Sequence, residues 1–202
     1  MAFISLQEIL DLIIMTLAVG FIFKNIFIKH LAGTFEKNYD PLAQYSDNLK
    51  QKTMHFFQTP FFIAIIATAP AIIFHEMAHK FTALAYGIDA VFHASYVWLF
   101  IGIMLKLLNF GFIFFVPGYV THAAAASPLT DAAIAFAGPL LNLILWIGAF
   151  ILLKTSAVKG KWLIVLEYTK SINMFLFFFN MIPLGPFDGA HVFQGLFEYW
   201  FG

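Results

Sequence analysis

The chain of 202 residues contains no cysteine and no arginine, and only 11% of it is charged. Without cysteine there are no disulfides, no thiolate nucleophile and no thiolate metal ligand, so any metal must be held by histidine or carboxylate. Without arginine, eleven lysines stand against eleven acidic residues. There is neither a positive excess nor a guanidinium fork for phosphate, and nucleic acid is not an expected partner. What is abundant is apolar. Residues of the set AVILMFWYC make up 61% of the chain, 27 of them Phe, and the mean hydropathy is +0.85. A soluble globular domain carries about 45–50% apolar residues, and one soluble core of this size would leave large apolar patches in water. The chain therefore reads as an integral, multi-pass protein of the cell membrane, with the lipid bilayer as its solvent. A removable signal peptide needs basic residues ahead of its apolar run. The first nine residues offer only Glu8, with Asp11 close behind, so the first run is expected to be retained.

Roughly 30 Å of hydrocarbon takes about 20 helical residues to cross. Residues 9–28, 59–87, 131–153 and 162–182 meet that length, and 190–201 form a shorter terminal helix. Residues 29–58 hold most of the polar side chains, with Asp40-Pro41 as a turn signal, and read as a surface loop with one short amphipathic helix. The run 96–120 is apolar but is broken by Asn109-Phe110-Gly111 and Pro117-Gly118, and its second half has strand-like composition. The expected fold is an all-α polytopic membrane protein of about five to six transmembrane helices in one membrane-embedded domain, 1–202.

Ionisable groups inside apolar spans are rare and costly, and each is a functional candidate. They fall at His75, Glu76, His79 and Lys80, at Glu167 and Lys170, and at Asp188 and His191. His75-Glu76-Met77-Ala78-His79 has the pattern H-E-x-x-H. On a helix, positions four apart share a face, so both imidazoles can bind one zinc ion while Glu76 acts as general base.

Two histidines and an open position leave zinc one protein ligand short. His93, His122, Glu167, Asp188 and His191 are the candidates. Asp188 is favoured because Pro183, Gly185, Pro186 and Gly189 break the helix around it. Irregular backbone at membrane depth is tolerated only where protein or a cavity surrounds it. His191, three residues on, either supports the ligands or sits at the interface. Glu167 and Lys170, three apart, read as an ion pair within a helix. Gly138-Pro139 alone reads as a site of close helix packing, whereas Asn142, one turn on, is a buried amide that needs partners.

Taken in order, His75-Glu76-x-x-His79, Gly138-Pro139-Leu140-Leu141-Asn142 and Asn180-x-x-Pro183-x-x-Pro186-x-Asp188-Gly189 resemble the site-2 protease family of intramembrane zinc metalloproteases, in its compact prokaryotic form without a PDZ domain. The resemblance covers residues 60–189. It implies one Zn²⁺ held by His75, His79 and Asp188, Glu76 as catalytic base, and Asn142 and Asn180 on the substrate or its oxyanion. It also implies membrane-spanning protein substrates, cut within or near the bilayer in regulated intramembrane proteolysis. Phe187 stands where family members usually have Leu.

If Asp188 joins the histidines at one depth, residues 88–130 must begin and end on the same side of the membrane. A re-entrant hairpin is then expected: helix to about Leu108, a turn at Asn109 and Gly111, and a strand-like return through Val116. Two other readings use the same motif. One is a different H-E-x-x-H membrane zinc protease, a prenyl-protein endopeptidase or a gluzincin, with Glu167 in place of Asp188. The other is a non-catalytic metal-binding membrane scaffold, which has no use for Glu76.

Overall fold

The computed structural model describes residues 3–35, 59–110, 116–125, 127–155 and 158–202. Its elements, in chain order, are α1 (Leu6–Phe35), α2 (Pro60–Ala85), β1 (Ala90–Ala94), α3 (Tyr96–Leu107), β2 (Gly118–His122), α4 (Pro128–Lys154), α5 (Lys161–Asn180) and α6 (Asp188–Phe201). Four of the described helices are long and apolar enough to cross a membrane: Leu6–Ile26, Pro60–Ala85, Pro128–Lys154 and Trp162–Asn180. At 12 and 14 residues, α3 and α6 are too short to cross alone. The all-α membrane architecture expected from composition is the one observed, with a two-stranded sheet among the described residues added to it.

Three of the four long helices, α1, α2 and α4, start where a side chain supplies their unpaired amides with an acceptor, while α5 follows Gly160 without one. At α1, Ser5 and Glu8 form a reciprocal capping box: Glu8 N donates to Ser5 Oγ (3.2 Å) and Ser5 N to Glu8 Oε2 (2.7 Å). At α2, Thr59 Oγ1 accepts from Phe62 N, and at α4, Ser127 Oγ accepts from Thr130 N. Pro60 and Pro128 then occupy first-turn positions, where a missing N–H costs nothing. Residues 29–35, expected as the start of a surface loop, belong to a helix. Helix α1 runs on to Phe35, because a fall in hydropathy marks where lipid ends, and nothing before Asp40-Pro41 forces the backbone out of a helix. Residues 36–58, with the amphipathic helix expected there, lie outside the described residues.

Strand β1 is not foreshadowed by the sequence pattern. It is five residues long, and its burial alternates over too short a window to stand out between two apolar helices. It pairs antiparallel with β2, in register from Ala90 opposite His122 to Ala94 opposite Gly118. Ser95 N also donates to Pro117 O (3.0 Å). The chain thus leaves β1 into α3 and returns to the level it left. The turn at Asn109 is seen, at φ 52°; residues 111–115 of the expected return lie outside the described residues.

Helix α2 is central. One side packs on α1 and β1, where Met15, Val19, Met77, Phe92, Ala94 and Leu99 form a buried cluster. Farther along, Ile63, Ala64 and Ala67 pack on Val165 of α5, and Ala83 packs with Ala90 and Ile134. Small residues recur at these contacts because lipid tails are as apolar as leucine, so helices in a bilayer gain from close approach rather than from escaping solvent.

The described segments predict a topology. With no native cysteine to interfere, cysteines placed singly at Asn109 and Ala124 are expected never to be labelled by a membrane-impermeant maleimide from opposite sides. Labelling from opposite sides would mean that α3 crosses the membrane.

Candidate metal centre

His75 and His79 lie one turn apart near the C-terminal end of α2. Their rings meet edge to face, with centroids 4.7 Å apart and Nε2 atoms 3.1 Å apart. Asp188, at the first turn of α6, brings Oδ2 to 3.1 Å from His75 Nε2 and 3.4 Å from His79 Nε2. These three ligand atoms form the one group of its kind among the described residues.

The other nitrogen of each ring decides what occupies the middle. His79 Nδ1 lies 2.8 Å from Ile134 O, and a carbonyl can only accept, so Nδ1 carries the proton. His75 Nδ1 lies 2.6 Å from Asn142 Oδ1. The amide of Asn142 is oriented by its own NH₂, which donates to Ala71 O (3.0 Å) and Asn173 Oδ1 (2.9 Å). Its oxygen therefore faces His75, and that Nδ1 is protonated too. Both Nε2 atoms then present lone pairs to each other and to a carboxylate oxygen. Asp188 Oδ2 is buried and has no hydrogen-bond partner. Three acceptors turned on one point with no donor between them repel unless a cation joins them. Two neutral imidazoles and a carboxylate are the donor set of a catalytic zinc site with one position open.

Close backbone approach makes this convergence possible. A Cβ added at Gly138 of α4 would fall 2.7 Å from His79 Cε1 and 2.8 Å from His75 Cε1. Helix α4 thus lies directly against both rings, and any side chain at that position would displace them. The Gly138-Pro139 pair, ordinary as sequence, forms the back wall of the site. Gly189 does the same for Asp188: a Cβ there would lie 2.5 Å from Met181 O and 2.7 Å from Ile182 O. The turn between α5 and α6 can close tightly enough to aim the carboxylate inward only if this residue is bare.

Glu76, 8% exposed, lines a cavity of about 670 Å³ together with His75, His79 and Asp188. The other expected residues separate. Asn180 lines the same cavity and is half-buried. Asn142 does not line it; the residue is fully buried, and its amide is used up in holding His75. His191 lies at the rim, where Nδ1 is 3.3 Å from Asp131 Oδ2. Glu167 is exposed and paired with Lys170, so the alternative ligand set does not assemble. His93 and His122 are engaged at Thr121 Oγ1 and Ala123 O. Sequence reasoning misses Asn173, fully buried behind Asn142 and donating to Thr169 O (2.7 Å). Its signal is a second amide inside an apolar span.

One wall of the cavity is β2. Residues 89 and 95, beyond the two ends of β1, hydrogen-bond to Ala123 and Pro117, and Val91 and His93 face Thr121 and Tyr119 in the same phase. Backbone groups alternate sides along a strand, so Gly118, Val120 and His122 turn theirs to the opposite edge, along the cavity.

Residues 154–202 match the model of peptidase family M50. A candidate zinc metalloprotease of Methanocaldococcus jannaschii is 34% identical over 189 residues, covering 93% of this chain and 84% of that one. A second candidate zinc metalloprotease, from Bacillus subtilis, is 31% identical over 140 residues, 60% of this chain and 63% of its own. No solved structure matches the chain.

The polar chain behind the site predicts its affinity for metal. Asn142→Ala strips His75 of the partner that fixes its tautomer. It is expected to weaken zinc binding about 10–100-fold, read by competition with a chromogenic chelator, with the helical circular dichroism retained. Gly138→Ala is expected to lower zinc occupancy at least as far.

Proposed function

The chain belongs to peptidase family M50, the site-2 protease family, and from that premise we propose that it is an intramembrane zinc protease cutting peptide bonds of membrane-spanning proteins within or near the bilayer. The observation that carries this reading is the meeting of three acceptor atoms from His75, His79 and Asp188 beside the Glu76 carboxylate, in a cavity among membrane-length helices. His75, His79 and Asp188 would hold the zinc, which when bound supplies Lewis acidity toward a carbonyl and a water. Glu76 accepts a proton from the attacking water on its carboxylate and returns it to the departing amine nitrogen. Its role separates a protease from a metal-binding scaffold, since the three ligands complete the metal set without it.

The substrate is a transmembrane segment unwound over the residues to be cut, because a helical peptide bond is sterically closed to attack. Its freed backbone groups need partners at membrane depth. The outer edge of β2, which no other strand among the described residues covers, offers a row of them, in the manner of strand addition. Asn180 supplies a side-chain amide to the carbonyl that becomes the oxyanion, and Asn142 acts from behind by keeping His75 in the ligating tautomer. Helix α3 dips into the membrane from the side of β1, and by Pro117 the chain is back beside Ser95 at the end of β1, which brings β2 to the depth of the metal ligands. The 202 residues work as one membrane-embedded domain, with the core from 60 to 189 carrying the chemistry.

The test uses purified protein and a model single-span substrate. Glu76→Gln is expected to keep one zinc while cleavage falls by about 10²–10⁴-fold, and chelation of the wild type should abolish cleavage until zinc is restored. A Glu76→Gln variant that still cuts at the wild-type rate would refute the assignment. Comparing Asp188→Asn with Glu167→Gln identifies the third ligand: zinc should be lost from the first and retained by the second.

A further inference from the structure

The edge of β1 that faces away from β2 is closed by α1. Glu8 and Asp11, one helical turn apart, are 3% and 2% exposed. Glu8 Oε1 accepts from Phe92 N (2.8 Å), and Asp11 Oδ2 accepts from Ala94 N (3.0 Å). The two amides are alternate residues of the strand, so they point to the same side, about 7 Å apart. Each carboxylate has further partners. Glu8 takes the ammonium of Lys80, which is 2% exposed, and Asp11 takes the hydroxyl of Tyr96 and the amide of Gln7 (2.9 Å). Lys80 adjoins the ligand His79 in sequence. The lateral order is therefore α1, β1, β2, cavity, and the helix bearing both histidines is tied by its next residue to the carboxylate that holds β1.

Burying two carboxylates against one ammonium is a costly way to cover a strand edge, since a third strand would pair the same amides without desolvating charge. What it provides is a fixed position. The N–H groups of residues 92 and 94 are held by charged acceptors on a rigid helix, and through the register of β1 with β2 the opposite edge is held relative to the metal ligands. We propose that Glu8 and Asp11 are positioning residues for substrate: they set the depth and register of the β2 edge against which the unwound segment lies. This rests on the strand-addition reading above and adds to it the groups that aim the strand.

The prediction separates binding from chemistry. In the full chain, Asp11→Leu removes both acceptors without unpairing Lys80. It is expected to raise KM for the single-span substrate by roughly 10-fold or more while kcat changes little, because the charged acceptor of Ala94 N is lost from the strand and no bond is lost from the reacting atoms. Asp11→Asn, which keeps one acceptor oxygen, should recover part of the loss. Glu8→Gln combined with Lys80→Met, which removes the ion pair without leaving either charge alone, should raise KM in the same direction. Zinc content is measured on each variant and should equal that of the wild type. Independently, disulfide cross-linking of Thr121→Cys to a cysteine scanned through the substrate reports whether the segment lies on β2.

If no scanned position cross-links in the otherwise wild-type chain, the strand-addition reading falls, and this proposal with it. If the cross-link forms and Asp11→Leu leaves both it and KM unaltered, the proposal alone falls. It falls equally if Asp11→Leu loses zinc or lowers kcat at unchanged KM, since either result assigns Asp11 a general structural role.

Discussion

Inside a bilayer a polar atom cannot turn to water for a partner, and the architecture of this protein follows from how that requirement is met. The buried polar groups form a connected layer. It runs from Thr169 O through Asn173 and Asn142 to His75. His79 is held from Ile134 O, and its neighbour Lys80 leads on through Glu8 to the edge of β1. Almost every atom in that layer has a donor or acceptor matched to it. Asp188 Oδ2 is the exception, a buried atom without a hydrogen-bond partner, and it sits where two imidazole lone pairs also point. A layer of described residues that pairs its buried polar atoms this consistently and then leaves three acceptors facing one another has a place that fits a cation.

The precision of that site depends on helices approaching closely, and in lipid the approach must be built from small side chains because burial of apolar surface gives little driving force. Gly138 lets α4 lie against the two imidazoles, and from the same helix Ile134 O and Asn142 Oδ1 reach the two Nδ1 atoms. One helix thus supplies the surface against which the rings rest and the acceptors that set their tautomers. Asp188 arrives from elsewhere, on a turn that Gly189 allows to close. Two parts of the chain far apart in sequence therefore meet with tolerances set by the absence of two Cβ atoms.

Much of this is legible in the sequence, and what is not has identifiable causes. The spacing of His75 and His79 directly encodes a shared helical face, and the prolines and glycines around Asp188 encode a break that turns a carboxylate. The four long helices follow from hydropathy. Strand β1 is invisible because five residues carry too little periodicity. Asn142 reads as a substrate contact because sequence shows that a buried amide needs partners but not which partners it finds; in the fold they are His75, Ala71 and Asn173. Glu8 and Asp11 stand out in the sequence only as acidic residues where a signal peptide would be basic. The rule applied to His75 and Asp188, that charge within an apolar span is costly, applies equally to them, and Ser5-Leu6-Gln7-Glu8 has the pattern of a capping box.

Helix α2 shows how the two buried networks become one device. Successive residues on a helix point about 100° apart. His79 is therefore turned toward α4 and the cavity, while Lys80, its neighbour, is turned toward α1 and Glu8. Any shift of α2 along its axis would carry both histidines and Lys80, the ammonium that pairs with Glu8, together. Were the partner of Glu8 on another helix, the histidines and β1 could settle at different depths in a bilayer whose thickness varies. Because a single turn of helix carries both histidines and Lys80, the place where a peptide would be cut and the strand along which it would lie are coupled through one element.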